Sequence, residues 1–160
     1  MTSLYIAALL IGIVAGLRAM TPLAVLSWAA FAKCLLLEGT WASFLASLIV
    51  AIVATVLAVG EIVNDKLPKT PSRKAPPAFA ARVVLGAFYG AVFGTLAGGT
   101  SPGLIIGLLL GALGAVIGTL GGAWARGQLA AVFGKDLPAA LTEDAVTVVA
   151  AVAITVALAG

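Results

Sequence analysis

Residues 12–23 read GIVAGLRAMTPL and interrupt an otherwise apolar run that extends from residue 3 to residue 37. Pro22 lacks a backbone N–H and disfavours helical backbone at the preceding Thr21. Thr21 can instead cap a second helix in which Pro22 occupies the first position. The stretch therefore predicts two half-length helices joined by a break, with Arg18 at the break.

Three geometries fit this break. Each half contains ~15–20 residues, or roughly 22–30 Å of helix, which makes two complete bilayer crossings tight. The segment is compatible with one long, tilted and broken helix, with two short crossings, or with a re-entrant hairpin that dips into the membrane.

The composition of the whole chain predicts an integral membrane protein. Of its 160 residues, 62% are hydrophobic and 9% are charged, whereas a soluble domain has about 25% charged residues. One cysteine and no histidine exclude a disulfide scaffold, a His/Cys metal site and a His-based catalytic triad. We expect no metal and no cofactor. Cys34 lies in an apolar stretch and is expected to be a buried, inert thiol.

Four further apolar runs complete the pattern and predict an all-α, polytopic helix bundle with five or six membrane segments. The runs cover residues 41–60, 83–98, 103–125 and 145–160. Thr142 is the predicted N-cap of the last helix, with Glu143 and Asp144 in its first turn. We interpret residues 1–160 as one membrane domain. It comprises the broken segment and a spanning helix in 1–60, a polar loop in 61–82 and glycine-rich segments in 83–160.

The basic residues lie in the connections between apolar runs, so the net charge of +3 indicates membrane orientation and not nucleic-acid binding. Five of the nine Lys and Arg residues lie in the 61–82 loop. The positive-inside rule then predicts how a multi-pass membrane protein is oriented. Its N-terminus and 61–82 loop are expected to be cytoplasmic, and its C-terminus outside.

Glycine recurs every four residues in the second half of the chain, at positions 86, 90, 94 and 98 and again at 103, 107 and 111. This spacing places the glycines on one helix face, where two backbones can approach closely in a glycine zipper. The packing partner is either another segment of the chain or a second protomer. Because the chain is small, we expect a homodimer.

Arg18 and a second polar group are the candidate functional residues. A guanidinium inside a bilayer is costly and normally faces a partner or a wet cavity. Beside the N-terminus of the second half-helix, Arg18 would form an anion site with free backbone amides; the alternative is that it snorkels to the membrane surface. Glu61, Asn64 and Asp65 follow the second run, and the two acids share a helix face. This group is predicted to bind a cation or proton, to pair with Arg18 or Arg126, or to be a solvated helix end.

Residues 11–24 match residues 117–130 at six of 14 positions, and both stretches have glycines close to an arginine. The match suggests an internal repeat. With the first segment counted as one crossing, the two copies face opposite ways. That is the arrangement of inverted-repeat transporters, which bind substrate at broken helices near the membrane midplane.

Two motifs, GLRAMTP at residues 16–22 and EIVNDKLP at residues 61–68, resemble those of a bacterial family of small integral membrane proteins classified only as a domain of unknown function. The resemblance spans most of the chain. It implies a compact multi-helix fold in a bacterial inner membrane and no particular activity, so the motifs mark candidate positions only.

These observations predict a small transporter or channel-like protein that moves a small, preferentially anionic solute or a lipid phosphate. The expected partners are the lipid bilayer, a second copy of the chain, and that solute or a lipid headgroup. One alternative is a non-transport scaffold that binds another membrane protein; a more remote one is an intramembrane enzyme acting on a lipid phosphate. The predicted substrate-binding residues are Arg18, Thr21 and Pro22, and the predicted coupling or gating residues are Glu61, Asn64, Asp65 and Arg126.

Overall fold

The computed structural model describes residues 1–67, 72–98 and 101–159 (of residues 158 and 159, the backbone only). These ranges contain helices and turns and no strand, which confirms the all-α prediction. The helices are α1 (Thr2–Leu17), α2 (Thr21–Phe31), α3 (Leu48–Asn64), α4 (Pro76–Gly98), α5 (Ser101–Phe133) and α6 (Asp136–Ala159), with a short 3₁₀ helix (Ser43–Ala46) before α3. Residues 68–71 of the predicted loop, 99–100 of the turn before α5, and 160 lie outside the described residues.

Within the described ranges, three helices are long and apolar enough to cross a membrane, where the sequence predicts five or six segments. They are Pro76–Gly98, Ser101–Phe133 and Asp136–Ala157. The apolar helices α1, α2 and α3 have only 16, 11 and 17 residues. The break at Arg18 divides the first run. Residues 41–47 form turns and the 3₁₀ helix, so the helix predicted over 41–60 begins at Leu48.

α1 packs against α5 in the parallel direction. A Cβ atom added at Gly114 would lie 2.2 Å from the Leu9 carbonyl oxygen, and one at Gly122 would lie 2.3 Å from the Leu17 side chain. Residues later in α1 therefore contact residues later in α5, as in a parallel helix pair. This direction contradicts the inverted repeat, because the two matching stretches begin side by side and run the same way. In addition, α5 is continuous where the first segment breaks.

The chain reverses direction between α1 and α2. Arg18 follows the last residue of α1 and has an extended backbone, with φ −139° and ψ 114°. α2 then runs antiparallel to α3, since Met20 donates its N–H to Glu61 near the end of α3 and Trp28 donates to Thr55 in its middle. α1 and α2 thus form a helical hairpin with its tip at residues 18–20. The hairpin excludes one long tilted helix for the first segment.

The six described helices alternate in direction. The last turns of α1, α3 and α5 meet the first turns of α2, α4 and α6 at one end of the bundle, which we call the charged end. Arg18, Asp65 and Arg126 contact one another there. The N-terminus lies at the end of the bundle opposite the described part of the 61–82 loop, because the hairpin adds one reversal of the chain, whereas the sequence predicts that both are on one side of the membrane. Cys34 is exposed and not buried, since α2 ends at Phe31 and leaves it in a turn.

Glycines bring α5 close to both α4 and α1. A Cβ added at Gly90 would lie 2.2 Å from the Gly107 carbonyl oxygen, and one at Gly118 would lie 2.0 Å from the Ile13 carbonyl oxygen. Cβ atoms essentially never approach heavy atoms below 3.0 Å, so these positions accept only glycine without a backbone shift. These close contacts join segments of one chain. Another segment of the chain is one of the two packing partners that the sequence leaves open.

The connection between α5 and α6 is shorter than the sequence predicts. α5 ends at Phe133 and is followed by Gly134, whose φ of +67° is the left-handed conformation that commonly terminates helices. α6 already begins at Asp136, because proline at position 138 is tolerated in the first turn of a helix. Thr142 therefore lies inside α6 and is not its N-cap. Its hydroxyl donates to the Pro138 carbonyl at 2.9 Å.

Candidate functional site

The hairpin tip places Arg18 inside the charged end, with its side chain fully buried. Its Nε donates to Asp144 on α6 at 2.7 Å, and its Nη2 donates to Asp65 after α3 at 2.8 Å. Nη1 is buried and has no hydrogen-bond partner among the described residues. Arg18 is thus paired with two carboxylates. It does not present the open anion site that the sequence predicts.

Arg126 on α5 extends this contact into a larger network. It bonds Asp65 through Nη1 and lies 2.6 Å from Asp136 and 3.7 Å from Glu143. The carboxylate of Glu143 in turn accepts hydrogen bonds from both terminal amino groups of Arg73. We name this network, which also includes the contact between Lys66 and Asp144 at 2.6 Å, the ion-pair cluster. Its members are Arg18, Asp65, Lys66, Arg73, Arg126, Asp136, Glu143 and Asp144.

The ion-pair cluster contains four cations and four anions, so its formal charges balance. Asp65 joins two arginines of the cluster, because one carboxylate oxygen accepts from both Arg18 and Arg126. Burial by itself would raise the pKa of Asp65. The hydrogen bonds and positive charges of the two arginines outweigh burial and lower the pKa to about 2. Asp65 is therefore ionised throughout the physiological pH range.

Glu61 binds the hairpin tip through the backbone. Its carboxylate oxygens accept the N–H groups of Ala19 and Met20 at 2.9 and 2.8 Å, and Tyr89 of α4 donates to the Ala19 carbonyl at 2.7 Å. These amides precede α2, where the sequence predicts Thr21 as the cap. The Thr21 hydroxyl is buried and has no partner in the described part of the chain. A carboxylate from α3 replaces the local cap because it also supplies the negative charge that a helix N-terminus favours.

Glu61 also pairs with Arg82 of α4, but loosely. The Arg82 Nη2 lies 3.4 Å from the Glu61 carboxylate, and Nη1 donates to the Ala78 carbonyl at the same distance. Both distances are beyond the usual range for N–H···O bonds. The Arg82 Nε is buried and has no partner among the described residues. Glu61, Arg82 and Asn64 line one end of a cleft of ≈ 590 Å³ between α3 and α4.

The structure brings together only part of the predicted site. Arg18, Asp65 and Arg126 meet in the ion-pair cluster, and pairing with these arginines is one of the roles that the sequence leaves open for Asp65. Thr21 instead lines an apolar cavity of ≈ 510 Å³ between α2, α3 and α6. Pro22 is buried in the first turn of α2.

Several residues of the charged end are not among the predicted site residues. Lys66, Arg73 and Arg82 are treated there as orientation charges of the 61–82 loop. Glu143 and Asp144 are treated as first-turn acids. Pro138 is the signal that could have identified these acids: a helix with this proline in its first turn places them about two turns inside an apolar segment. Acids at such positions require partners.

No protein-family model, no curated protein and no solved structure matches the chain. Among the described residues, no group of three His, Cys, Asp or Glu side chains is placed to bind a metal ion. The charged end is characterised by a buried, charge-balanced cluster and by a helical hairpin whose tip the cluster contacts.

Proposed function

We propose that this protein is a small membrane transporter, in which the ion-pair cluster is a gate for a small anionic solute or a lipid phosphate. The observation that supports it best is the buried Arg18 at a hairpin tip. Ionisable residues at membrane depth are costly and usually mark a pathway or a site. Buried ion pairs add little net stability compared with apolar residues of similar volume. A purely stabilising role therefore accounts poorly for eight charged residues in one place.

Asp65 is the proposed switch of this gate. Its carboxylate is shared between Arg18 on the hairpin tip and Arg126 on α5. If Asp65 bonded Arg126 alone, Arg18 would keep only its contact with Asp144. The hairpin tip would then lose the ion pair that joins it to the end of α3. Two discrete pairings of this kind provide the bistable element that a gating transition requires. Broken helices with charged residues at the break are typical of transporter sites.

The charge of the chain favours an anion. Lys33 and Glu38 pair with each other at the end opposite the ion-pair cluster, so the excess of three positive charges belongs to the remainder of the sequence. A positive field raises the local concentration of anions. By the positive-inside rule we propose that the charged end faces the cytoplasm of a bacterial inner membrane, with both termini on the other side. We also propose a homodimer, because the chain is small.

Flux through liposomes tests this proposal. Purified protein would be reconstituted and assayed for uptake of labelled inorganic phosphate and small carboxylates, and for transbilayer movement of a fluorescent phosphatidate. Arg18→Gln should abolish the flux of the active substrate. Lys33→Gln, which also removes one positive charge but from an exposed pair, should retain it. Arg18→Lys keeps the charge and serves as a second variant if Arg18→Gln does not fold.

The competing function is a non-transport scaffold. The ion-pair cluster favours it because every charged residue of the cluster already has a partner within the chain and needs no substrate to neutralise it. The scaffold predicts vesicle flux equal to that of empty liposomes for every substrate, with correctly folded protein. It also predicts that Arg18→Lys matches the parent protein in every assay. That pair of results would overturn the transporter proposal.

A further inference from the structure

The cleft between α3 and α4 is polar at one end and apolar along the rest. Glu61, Asn64 and Arg82 line the polar end, while Val56, Leu57 and Leu85 are among the apolar lining residues. In the described ranges α3 and α4 make no extended contact with each other, so the cleft opens sideways between the two helices. Its shape and polarity match a molecule with a charged head and an apolar tail.

Arg82 is the arginine with the weakest carboxylate contact at the charged end. Arg18, Arg73 and Arg126 each have a carboxylate within 2.8 Å. Arg82 has one carboxylate at 3.4 Å, and its buried Nε has no partner among the described residues. A buried donor without an acceptor carries its full desolvation cost. A ligand oxygen within reach of Arg82 would remove that cost, and phosphate suits a guanidinium because it accepts two parallel hydrogen bonds.

We propose that this cleft binds an anionic phospholipid or lipid phosphate, with Arg82 contacting the phosphate and the apolar wall contacting the hydrocarbon chain. The choice of substrate class rests on the proposed transport function, while the binding site rests on the cleft itself. The Glu61 carboxylate is held in place by the two backbone N–H groups of the hairpin tip, so that Arg82 can exchange its loose contact with Glu61 for one with a phosphate. Binding at Arg82 would therefore occur directly beside the tip.

A lipid fits this cleft better than a free phosphate ion. Most of the lining is apolar, and a free ion would gain nothing from Val56, Leu57 or Leu85. Arg82 lies six residues after Pro76, or about 9 Å along the α4 axis at 1.5 Å per residue. That depth corresponds to the headgroup region of a lipid whose chains lie alongside α4.

Lipid binding to the purified protein tests the site. Native mass spectrometry in detergent would measure the affinity for dioleoyl phosphatidate, with dioleoyl phosphatidylcholine and inorganic phosphate as the comparison ligands. Arg82→Gln should weaken phosphatidate binding by about tenfold to a hundredfold, the value of one charge-assisted contact. Lys74→Gln is the matched control, because it removes one positive charge from an exposed position just before α4. It should leave the affinity nearly unchanged.

Val56→Trp keeps the test decisive if Arg82→Gln fails to fold. Val56 is 65% exposed, so a larger side chain is accommodated without disturbing the core while it fills the cleft. It should also weaken phosphatidate binding. Equal effects of Arg82→Gln and Lys74→Gln would overturn the proposal, because they indicate general charge attraction. Tight binding of inorganic phosphate that depends on Arg82 would overturn the lipid assignment, as would equal affinity for phosphatidate and phosphatidylcholine.

Failure of this site and failure of the transporter proposal give different results. Arg82-dependent lipid binding without any flux supports the cleft and contradicts transport. Flux that is lost in Arg18→Gln but unaffected by Arg82→Gln and Val56→Trp supports transport and contradicts the cleft.

Discussion

Gly118→Ala should destabilise the protein, whereas Gly121→Ala, three residues further along the same helix, should stabilise it. A Cβ at Gly118 would lie 2.0 Å from the Ile13 carbonyl oxygen, and ordinary van der Waals contact begins at 3.4 Å. α1 would have to retreat by the difference of 1.4 Å between these two distances. A Cβ at Gly121 meets no heavy atom of the described chain within 4 Å.

The retreat of α1 would disturb more than one contact. Gly12 packs against Gly111 and Gly16 packs against Ala115, and both contacts join the same two helices. Overpacking costs about 1–3 kcal/mol when neighbouring atoms can shift, and a rigid backbone contact places Gly118→Ala at or above the upper value. At Gly121, alanine gains about 1 kcal/mol in helix propensity. The two variants should therefore differ by roughly 4 kcal/mol in free energy of unfolding.

Denaturant unfolding in a single detergent, followed by circular dichroism, measures this difference. Both variants make the same substitution in α5, so their comparison cancels changes in composition and detergent binding. Equal stabilities, or a Gly118→Ala variant more stable than Gly121→Ala, would refute the close packing of α1 on α5 at Gly118.

Three further predictions concern the charged end. Asp65→Asn should lower the free energy of unfolding by about 3–5 kcal/mol, because two guanidiniums lose their shared carboxylate; Glu38→Gln, from a pair whose side chains are 75% exposed, should change it by less than about 1 kcal/mol in the same denaturant titration. The pKa of Asp65 is lowered from 3.8 to about 2, so its stabilisation is present above pH ~4 and is lost as the pH falls towards 2, by about 2 kcal/mol. An acid titration that looks the same for parent and Asp65→Asn would contradict this assignment. Tyr89→Phe removes the hydrogen bond to Ala19 and should cost about 1–2 kcal/mol; an unchanged melting temperature would argue against that bond.

The helix class and the break at Arg18 could be predicted from the sequence because both have local causes. High hydropathy fixes the all-α class, and Pro22 with its neighbours fixes the break. The direction taken after the break is not local. It depends on Glu61, 42 residues away from Ala19, which accepts the N–H groups of the tip. The reversal, and with it the side on which the N-terminus lies, therefore could not be predicted from residues 12–23.

The candidate site was predicted as a set of residue types but not as an arrangement. Arg18 and Asp65 stand out because charges are rare in this chain. Other members of the ion-pair cluster do not stand out, since Arg73 lies in the polar 61–82 loop and Asp144 follows Glu143 at an expected helix start. The pairing of Arg73 with Glu143 joins positions 70 residues apart. Only the packing of α6 against α1 and α5 brings such pairs together.

The packing of the bundle assigns the proposed movement to α3. α1, α4 and α5 form one extensively packed group whose glycines allow backbone contact. Within the described ranges α3 packs extensively on α2 and the 3₁₀ helix alone, with the apolar cavity on one side and the α3–α4 cleft on the other. Packed interiors resist displacement, whereas a helix between two cavities can shift at a smaller cost in packing energy. Because α3 carries Glu61 and is followed directly by Asp65, any shift of α3 changes the bonds of the hairpin tip. A ligand bound in the cleft would therefore act on the pairing of Arg18 through α3.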